Sequence, residues 1–592
     1  MKKTKKVKVL TKEDSLMKVV LDELSVKTSP IISEKKSFDF RDIFWNYPEF
    51  LVNSFKKLIP VSYILLFGLV ALLIILFLNT STFTQIIGGN QKKDTLVGGV
   101  VGTVNSLNPL YVTNNYIERS IDSLIFERFI NIDSDGNPTP GIAKNWESKE
   151  DGLVYEFKID EGHFWHDGSE VTVDDVVFTF DTAIKLSKEA GFDSVGIAFV
   201  DMEVSKLNED TVQFRVKEKN PVIFRALSIY IVPHKYLAEV EVSKMAFDVF
   251  TKSPIGSGKY GFVKMDSSAI YLIDNPYDEY EPHLKNIVFK MYSDWDTLEM
   301  AFRVGNLDAI GSWDRMITSY IEEYDNFVRN NLVIDDREKL IFFNTRKDSL
   351  KDKDIRIILT LLLNKEKLIE EYGVGSRILN GPLPETSWAY NKDIDYLKYD
   401  PTKATEKLEK LGYKKNPNSG YFENQQGEIL TFTISYLSIL SNERLVALLS
   451  DYYKEEGVLL QVEKLDYTQI TQEVISTRDF ELLLYEVETS VDPDQYNLWH
   501  SLKANFPDLN LSGYNYGRVD ILLEEGRQNM DKEVRKQKYY LFQKYLMADA
   551  PAIFLYNPIY EYITRDNLVG VDFDSISHSY ERFHNIEEWY WK

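Results

Sequence analysis

Apolar and polar positions alternate through Val154-Tyr155-Glu156-Phe157-Lys158-Ile159, between Asp151-Gly152 and Glu161-Gly162. A period of two bounded by turn residues predicts a half-buried strand in a hairpin. Beyond Asp167-Gly168 the period lengthens. Val173, Val176, Val177 and Phe180 share one helical face, and Thr172-Val173-Asp174-Asp175 supplies a capping box at its start. Tyr399-Asp400-Pro401 opens a second helix, with Asp400 as N-cap, Ala404, Leu408 and Leu411 on one side, and Gly412 as the stop. A third helix is predicted with Val534, Leu541, Tyr545 and Ala548 facing inward; Ala550-Pro551 ends it, and Ala552 to Tyr556 follows as a buried strand. Residues 354–369 read as one helix, made bulky by Ile357-Ile358-Leu359 and Leu361-Leu362-Leu363. Strands and helices alternate without a repeat, so the expected class is α/β.

One segment breaks this pattern. Leu58 to Leu78 is 21 residues without a charge, and at about 1.5 Å per helical residue it reaches roughly 30 Å, the hydrocarbon thickness of a bilayer. Nearly sixty residues precede it and no Ala-x-Ala site follows, so it reads as a retained transmembrane helix and not a removed signal. Phe38, Phe40, Phe44, Trp45, Tyr47, Phe50 and Phe55 suit an aromatic belt ahead of the span.

Charge gives that segment its direction. The chain has 592 residues and a net charge of −23, yet its first 58 residues hold 13 Lys plus Arg against 8 acids, a net of +5, leaving −28 on the remainder. By the positive-inside rule the tail 1–57 is cytoplasmic, residues 79–93 are a linker, and the acidic body lies outside the cell membrane, extracellular or periplasmic. The acidic surplus excludes a nucleic-acid grip. The absence of cysteine removes disulfides, thiolate metal sites, a Cys nucleophile and a lipidated N-terminal Cys.

Apparent catalytic motifs do not survive their context. Gly256-Ser257-Gly258-Lys259-Tyr260-Gly261 has dinucleotide-fingerprint spacing, but Pro254 precedes it and the β-prone Phe262-Val263 follows, so it predicts a turn entering a strand. His163 and His166 lie in a strand-turn segment that points rings three apart to opposite faces, which is unsuited to a zinc pair. Asp133-Ser134-Asp135-Gly136-Asn137 resembles a calcium loop, but its glycine is two positions early and Lys144 stands where the bidentate Glu belongs. A hairpin turn is expected there. No G-x-S-x-G elbow is present. The expectation is a chain without enzymatic activity, cofactor or resident metal.

A series of segments, in order, resembles the family 5 extracellular solute-binding proteins, the peptide, oligopeptide and nickel receptors of ABC importers. They include Leu124 to Phe129, Pro140-Gly141-Ile142-Ala143, Phe164-Trp165-His166-Asp167-Gly168, Asp174 to Phe178, Pro254 to Tyr260, Ala301 to Asp308, Asp492-Pro493-Asp494 and Val519 to Leu523. The resemblance covers about residues 96–560. It implies a two-lobed periplasmic-binding-protein fold, type II with an extra accessory domain, that closes on its ligand. On that analogy lobe I comprises 94–128, 252–338 and 556–592, the accessory domain 129–251, and lobe II 339–555. Peptide-binding members hold the ligand ammonium with an aspartate shortly before the Asp-Pro pair. Here that place falls on Thr489, with Glu488 beside it as the acid able to supply the charge. Asp492 joins the candidate set more as a loop cap than a contact, and Tyr111, Trp388 and Tyr390 are candidate cleft aromatics. The implied partners are a peptide or small polar solute, an ABC permease with its ATPase subunits, and the membrane through one helix. The alternative is a solute sensor or surface-interaction protein that retains the binding fold and uses its basic tail inside the cell.

Overall fold

The computed structural model describes residues 94–592 except 112–114, 134–135, 191–201, 279, 314–325, 334–335, 374, 490 and 574–577. The tail, the Leu58 to Leu78 span and the linker expected from the sequence lie outside the described residues. Among the described residues no helix is long and apolar enough to cross a membrane.

Three sheets organise the body. The largest has seven strands, in the order Phe327–Val333, Ile559–Arg565, Ala309–Ser312, Thr95–Val101, Asn286–Tyr292, Ala269–Asp274 and Tyr260–Met265. Thr95–Val101, central and largely buried, pairs in parallel with both neighbours. Helix Tyr116–Ile125 buries Ile117, Ile121, Leu124 and Ile125 in a core shared with Leu96, Phe289, Tyr560 and Trp589. Asn115 caps that helix by accepting a hydrogen bond from the Ile117 amide.

A six-stranded sheet runs in the order Arg377–Ile378, Ala552–Asn557, Arg337–Phe343, Leu482–Glu488, Thr431–Leu437 and Leu459–Leu465. Ala552–Asn557 is buried at every position, as its unbroken apolar run predicts. A four-stranded sheet, Ala143–Lys149, Val154–Ile159, Thr211–Val216 and Met202–Lys206, packs on helix Val173–Ala190. Its core is aromatic, with the rings of Phe129, Phe157, Phe180 and Phe214 in contacts 4.8–5.7 Å between centroids.

The chain passes from the seven-stranded to the six-stranded sheet between Val333 and Arg337, and returns between Asn557 and Ile559. The two crossings are tied together: buried Asn557 donates from Nδ2 to the Arg337 carbonyl at 2.8 Å. Arg337, Glu338, Tyr556 and Asn557, which the sequence reading places with lobe I, belong to strands of the six-stranded sheet.

Four local expectations change. Helix Lys532–Asp549 turns Arg535, Tyr539, Phe542, Gln543 and Leu546 inward and leaves Val534, Leu541 and Ala548 exposed. The apolar-period reading missed this face because two of its members are polar, yet both are satisfied. Arg535 donates to the Gly526 carbonyl and to Asp492, and Gln543 donates to the Ala389 carbonyl and accepts from the Asn391 amide. Residues 354–369 form two helices, Lys353–Leu361 and Lys365–Glu371, because Asn364 caps the second by accepting from the Lys367 amide at 2.9 Å. Leu411 is the exposed C-cap of Pro401–Lys410, and the turn at Gly412 (φ +90°) removes it from the buried face. In the 172–175 box, Asp175 accepts from both the amide and the hydroxyl of Thr172, so the hydroxyl is donor and not acceptor.

Candidate functional site

A cavity of about 1360 Å³ opens among the helix and loop segments that adjoin the strands of the three sheets. One wall comes from helix Tyr116–Ile125, residues 257–259 and 275–278, and the C-terminal turn around Tyr580. A second comes from residues 131–133, 136–141, 160–164 and 221–230. Glu488, Val491 and Asp492 close it from the end of a strand of the six-stranded sheet. Its volume exceeds the roughly 300–1,000 Å³ typical of drug-sized ligand sites.

The glycine-rich segment helps to build this wall. A Cβ at Gly256 would lie 1.9 Å from the Ile125 carbonyl oxygen, and one at Gly258 would lie 2.6 Å from that of Leu124. Glycine permits this approach, and the Gly258 amide then donates to the Ile125 carbonyl at 2.8 Å, satisfying the helix end. Strand Tyr260–Met265 follows directly, which accords with a turn and not a phosphate loop. His166 belongs to the same scaffold. Its Nδ1 accepts from the Gly256 amide and its Nε2 donates to the Gly258 carbonyl, an arrangement that requires the neutral imidazole, and burial lowers its pKa accordingly. His163 faces the cavity, with Nδ1 2.9 Å from Glu127 Oε1. Burial disfavours its charge, but Glu127 outweighs that and raises its pKa. The two rings are not a metal pair. Strands Ile130–Ile132 and Pro138–Pro140 pair antiparallel, and beside them the Asn137 amide donates to Asp133 Oδ1.

Charge of both signs reaches across the site. Arg119, on helix Tyr116–Ile125, pairs at 2.8 Å with Glu488 of the six-stranded sheet and lies over the Tyr580 ring. Burial opposes the Glu488 charge, but Arg119 more than offsets it and holds the carboxyl below its ordinary range. Asp336, in the crossing between sheets, is hydrogen-bonded to His578 Nδ1. Burial likewise opposes the His578 imidazolium, yet Asp336 and Glu581 raise its pKa. Asp336, Glu488 and His578 place ligating atoms within 4.8 Å of one another. Arg119 and Arg337 already supply positive charge to these acids, which favours an ion-pair network over a metal centre.

Of the residues singled out in the sequence, Glu488 and Asp492 line the cavity together with Tyr111. Tyr111 donates from its hydroxyl to the Val242 carbonyl at 2.5 Å. Asp492 pairs at 2.7 Å with Arg535 and accepts from the Asp494 amide, which fits a loop cap. Thr489 is buried, its amide donating to the Asp336 carbonyl, and it does not reach the cavity. Trp388 and Tyr390 also stand away from it. Trp388 packs beside Tyr539 under Lys532 and Arg535, and Tyr390 stacks on Tyr396 at 5.7 Å. The sequence reading missed Arg119, Asp122, Asp336 and His578. The one signal for Asp122 was its placement four residues after Glu118, which stacks two acids on one face of an amphipathic helix.

The fold agrees with relatives of known structure. Over 84% of this chain and 99% of its own, NikZ from Campylobacter jejuni in complex with Ni(L-His) superposes with a TM-score of 0.70 at 26% identity. AppA from Bacillus subtilis in complex with a nonapeptide superposes over 85% of this chain and 100% of its own, with a TM-score of 0.68 at 24% identity, and so supports the two-lobed α/β fold. In sequence, the oligopeptide-binding protein AppA of Bacillus subtilis is 25% identical over 532 residues, 86% of this chain and 94% of that protein. The family model described as bacterial extracellular solute-binding proteins, family 5 Middle, matches residues 137–507, more than half of the chain. The chain therefore belongs to the bacterial extracellular solute-binding proteins of family 5, a family of transport binding proteins and not of enzymes.

Proposed function

We propose that this chain is the membrane-anchored, extracellular substrate-binding component of an ABC importer. It captures a peptide or similar small polar solute in the cavity and delivers it to a permease coupled to ATPase subunits. The observation that carries this reading is the Arg119–Glu488 pair, which joins a helix packed on one sheet to a strand of another at the edge of the cavity. A contact of this kind forms when two lobes close and breaks when they part. The bound form is thereby distinguished from the free form, as a permease requires. Sheet membership supports the division into a discontinuous lobe I (94–128, 252–338, 556–592), an accessory domain (129–251) and lobe II (339–555), with the limits near 338 and 556 moved by the strands at the crossings. Mixed charge and aromatic rings around the cavity suit a zwitterionic chain with varied side chains.

The uncharged run from Leu58 to Leu78 is the proposed tether, with the basic tail inside and the acidic body outside. It replaces the lipid that a cysteine would carry. Native mass spectrometry of the detergent-solubilised chain tests the ligand class, followed by calorimetry with a peptide library and with Ni²⁺. Binding of peptides with a matching mass in the native complex is the expected result. Silence from every peptide would sink the reading, and binding of Ni²⁺ complexes alone would move it to the nickel branch.

A further inference from the structure

Asp122 is a carboxylate without a partner in the cavity wall. Its residue is 7% exposed, its Oδ1 is buried without a hydrogen-bond partner, and no side-chain hydrogen bond or ion pair to it occurs among the described residues. It lies in the last turn of helix Tyr116–Ile125, where the helix dipole disfavours negative charge. One turn earlier stands Glu118, which accepts from the amides of Asn105 and Ser106 and so is already satisfied. The nearby cations are committed elsewhere. Arg119 is paired with Glu488, Arg128 donates to Ser228 and pairs with Glu581, and Arg582 donates to Ser120 and the Ser579 carbonyl. Burial first, and repulsion from Glu118 second, push the Asp122 carboxyl well above the ordinary carboxylate range.

A buried carboxylate with no counter-charge is strongly disfavoured when ionised. Such a group persists at a ligand site when the ligand itself supplies the missing charge. We infer that Asp122 is a subsite for a primary ammonium group of the ligand, set on the helix whose Arg119 pairs with Glu488. Glu488, the acid that sequence position favours for this work, already has its cation in Arg119. When the ammonium arrives, the Asp122 proton leaves to solvent and a carboxylate–ammonium pair forms in its place, so net charge inside the site is conserved. The ammonium comes from a free peptide N-terminus or from a lysine-like side chain, and both present the same chemistry. The inference rests on the proposed cavity as a ligand site, but not on the ligand being a peptide.

The test is calorimetry on the full chain in detergent, wild type against Asp122→Asn, with Asp122→Ser in parallel should the first variant lose its native circular dichroism. The probes are trialanine, N-acetyl-trialanine, an N-acetylated tripeptide containing lysine, and propylammonium. Loss of a charge-assisted pair predicts about 10- to 100-fold weaker binding of ammonium probes to the variant. Proton release, seen as buffer-dependent heat, should occur in the wild type alone. Preference for trialanine over its acetylated form assigns the N-terminus, and retained binding of the acetylated lysine peptide assigns the side chain. Propylammonium protection of the wild type alone, with every peptide silent, would uphold the subsite while removing the peptide reading. Equal binding of each ammonium probe to wild type and variant, or no ammonium binding to the wild type, would overturn the inference.

Discussion

Single residues here carry roles that their chemical type does not announce. Gly256 is needed for its lack of a Cβ, which would otherwise sit 1.9 Å from the Ile125 carbonyl oxygen. Gly256→Ala should therefore destabilise by about 1–3 kcal/mol or more as the loop is forced off the helix end, read as a lowered urea midpoint. An unchanged midpoint would mean that the loop yields freely. Arg119 makes a different kind of contribution. Its pair with Glu488 is partly exposed, and such pairs contribute about 0–1 kcal/mol. Arg119→Ala should leave the unfolding midpoint within about 0.5 kcal/mol of wild type while ligand dissociation quickens by up to about fivefold. Stopped-flow release in the two proteins checks it, and equal off-rates would remove Arg119 from closure.

At the scale of elements, the sequence is legible where one period decides the outcome and opaque where a polar side chain is buried with its partners. Strand Val154–Ile159, the Asp400-capped helix and the buried run Ala552–Asn557 follow directly from pattern and caps. Helix Lys532–Asp549 does not, because Arg535 and Gln543 interrupt its apolar face, and their acceptors come from residues up to about 150 positions away. The candidate site shows the same division. Glu488 and Asp492 were reachable through the Asp-Pro landmark, whereas Arg119 meets Glu488, and Asp336 meets His578, across 369 and 242 residues of sequence. The inward face can be tested. Arg535→Ala removes one partner of half-buried Asp492 and the donor to the Gly526 carbonyl, and should cost about 1–3 kcal/mol. Leu541→Lys on the opposite face should stay within about 0.5 kcal/mol. Denaturant curves on the two variants decide between the faces, and a reversed ranking would restore the assignment made from apolar period alone.

For the whole molecule, the decisive feature is that charges from different sheets meet at the crossing where a hinge would bend. Asp336 lies in that crossing, Glu488 ends a strand of the six-stranded sheet, and His578 approaches from the C-terminal segment, with Glu581 also acting on it. The His578 pKa is raised, so its contribution is fully present below the unfolded value of about 6.5 and is lost as pH climbs through the folded value. The buried Asp336 carboxyl is raised too, by burial that His578 only partly offsets, and so acts in the same direction. Glu488, lowered by Arg119, contributes above about 4.5 and loses its share as pH falls through its folded value. The network is thus strongest in a mildly acidic window bounded by those two titrations. Raising the pH from about 6 to about 8.5 should lower wild-type stability and speed amide exchange at Arg337 and Asn557, which tie the crossings together. His578→Gln should flatten that slope, because it removes the titrating partner while leaving a side chain able to hydrogen-bond Asp336. Parallel pH slopes in the two proteins would show that the crossing is held by the Asn557–Arg337 contact and the strands themselves, with the imidazolium playing no part in closure.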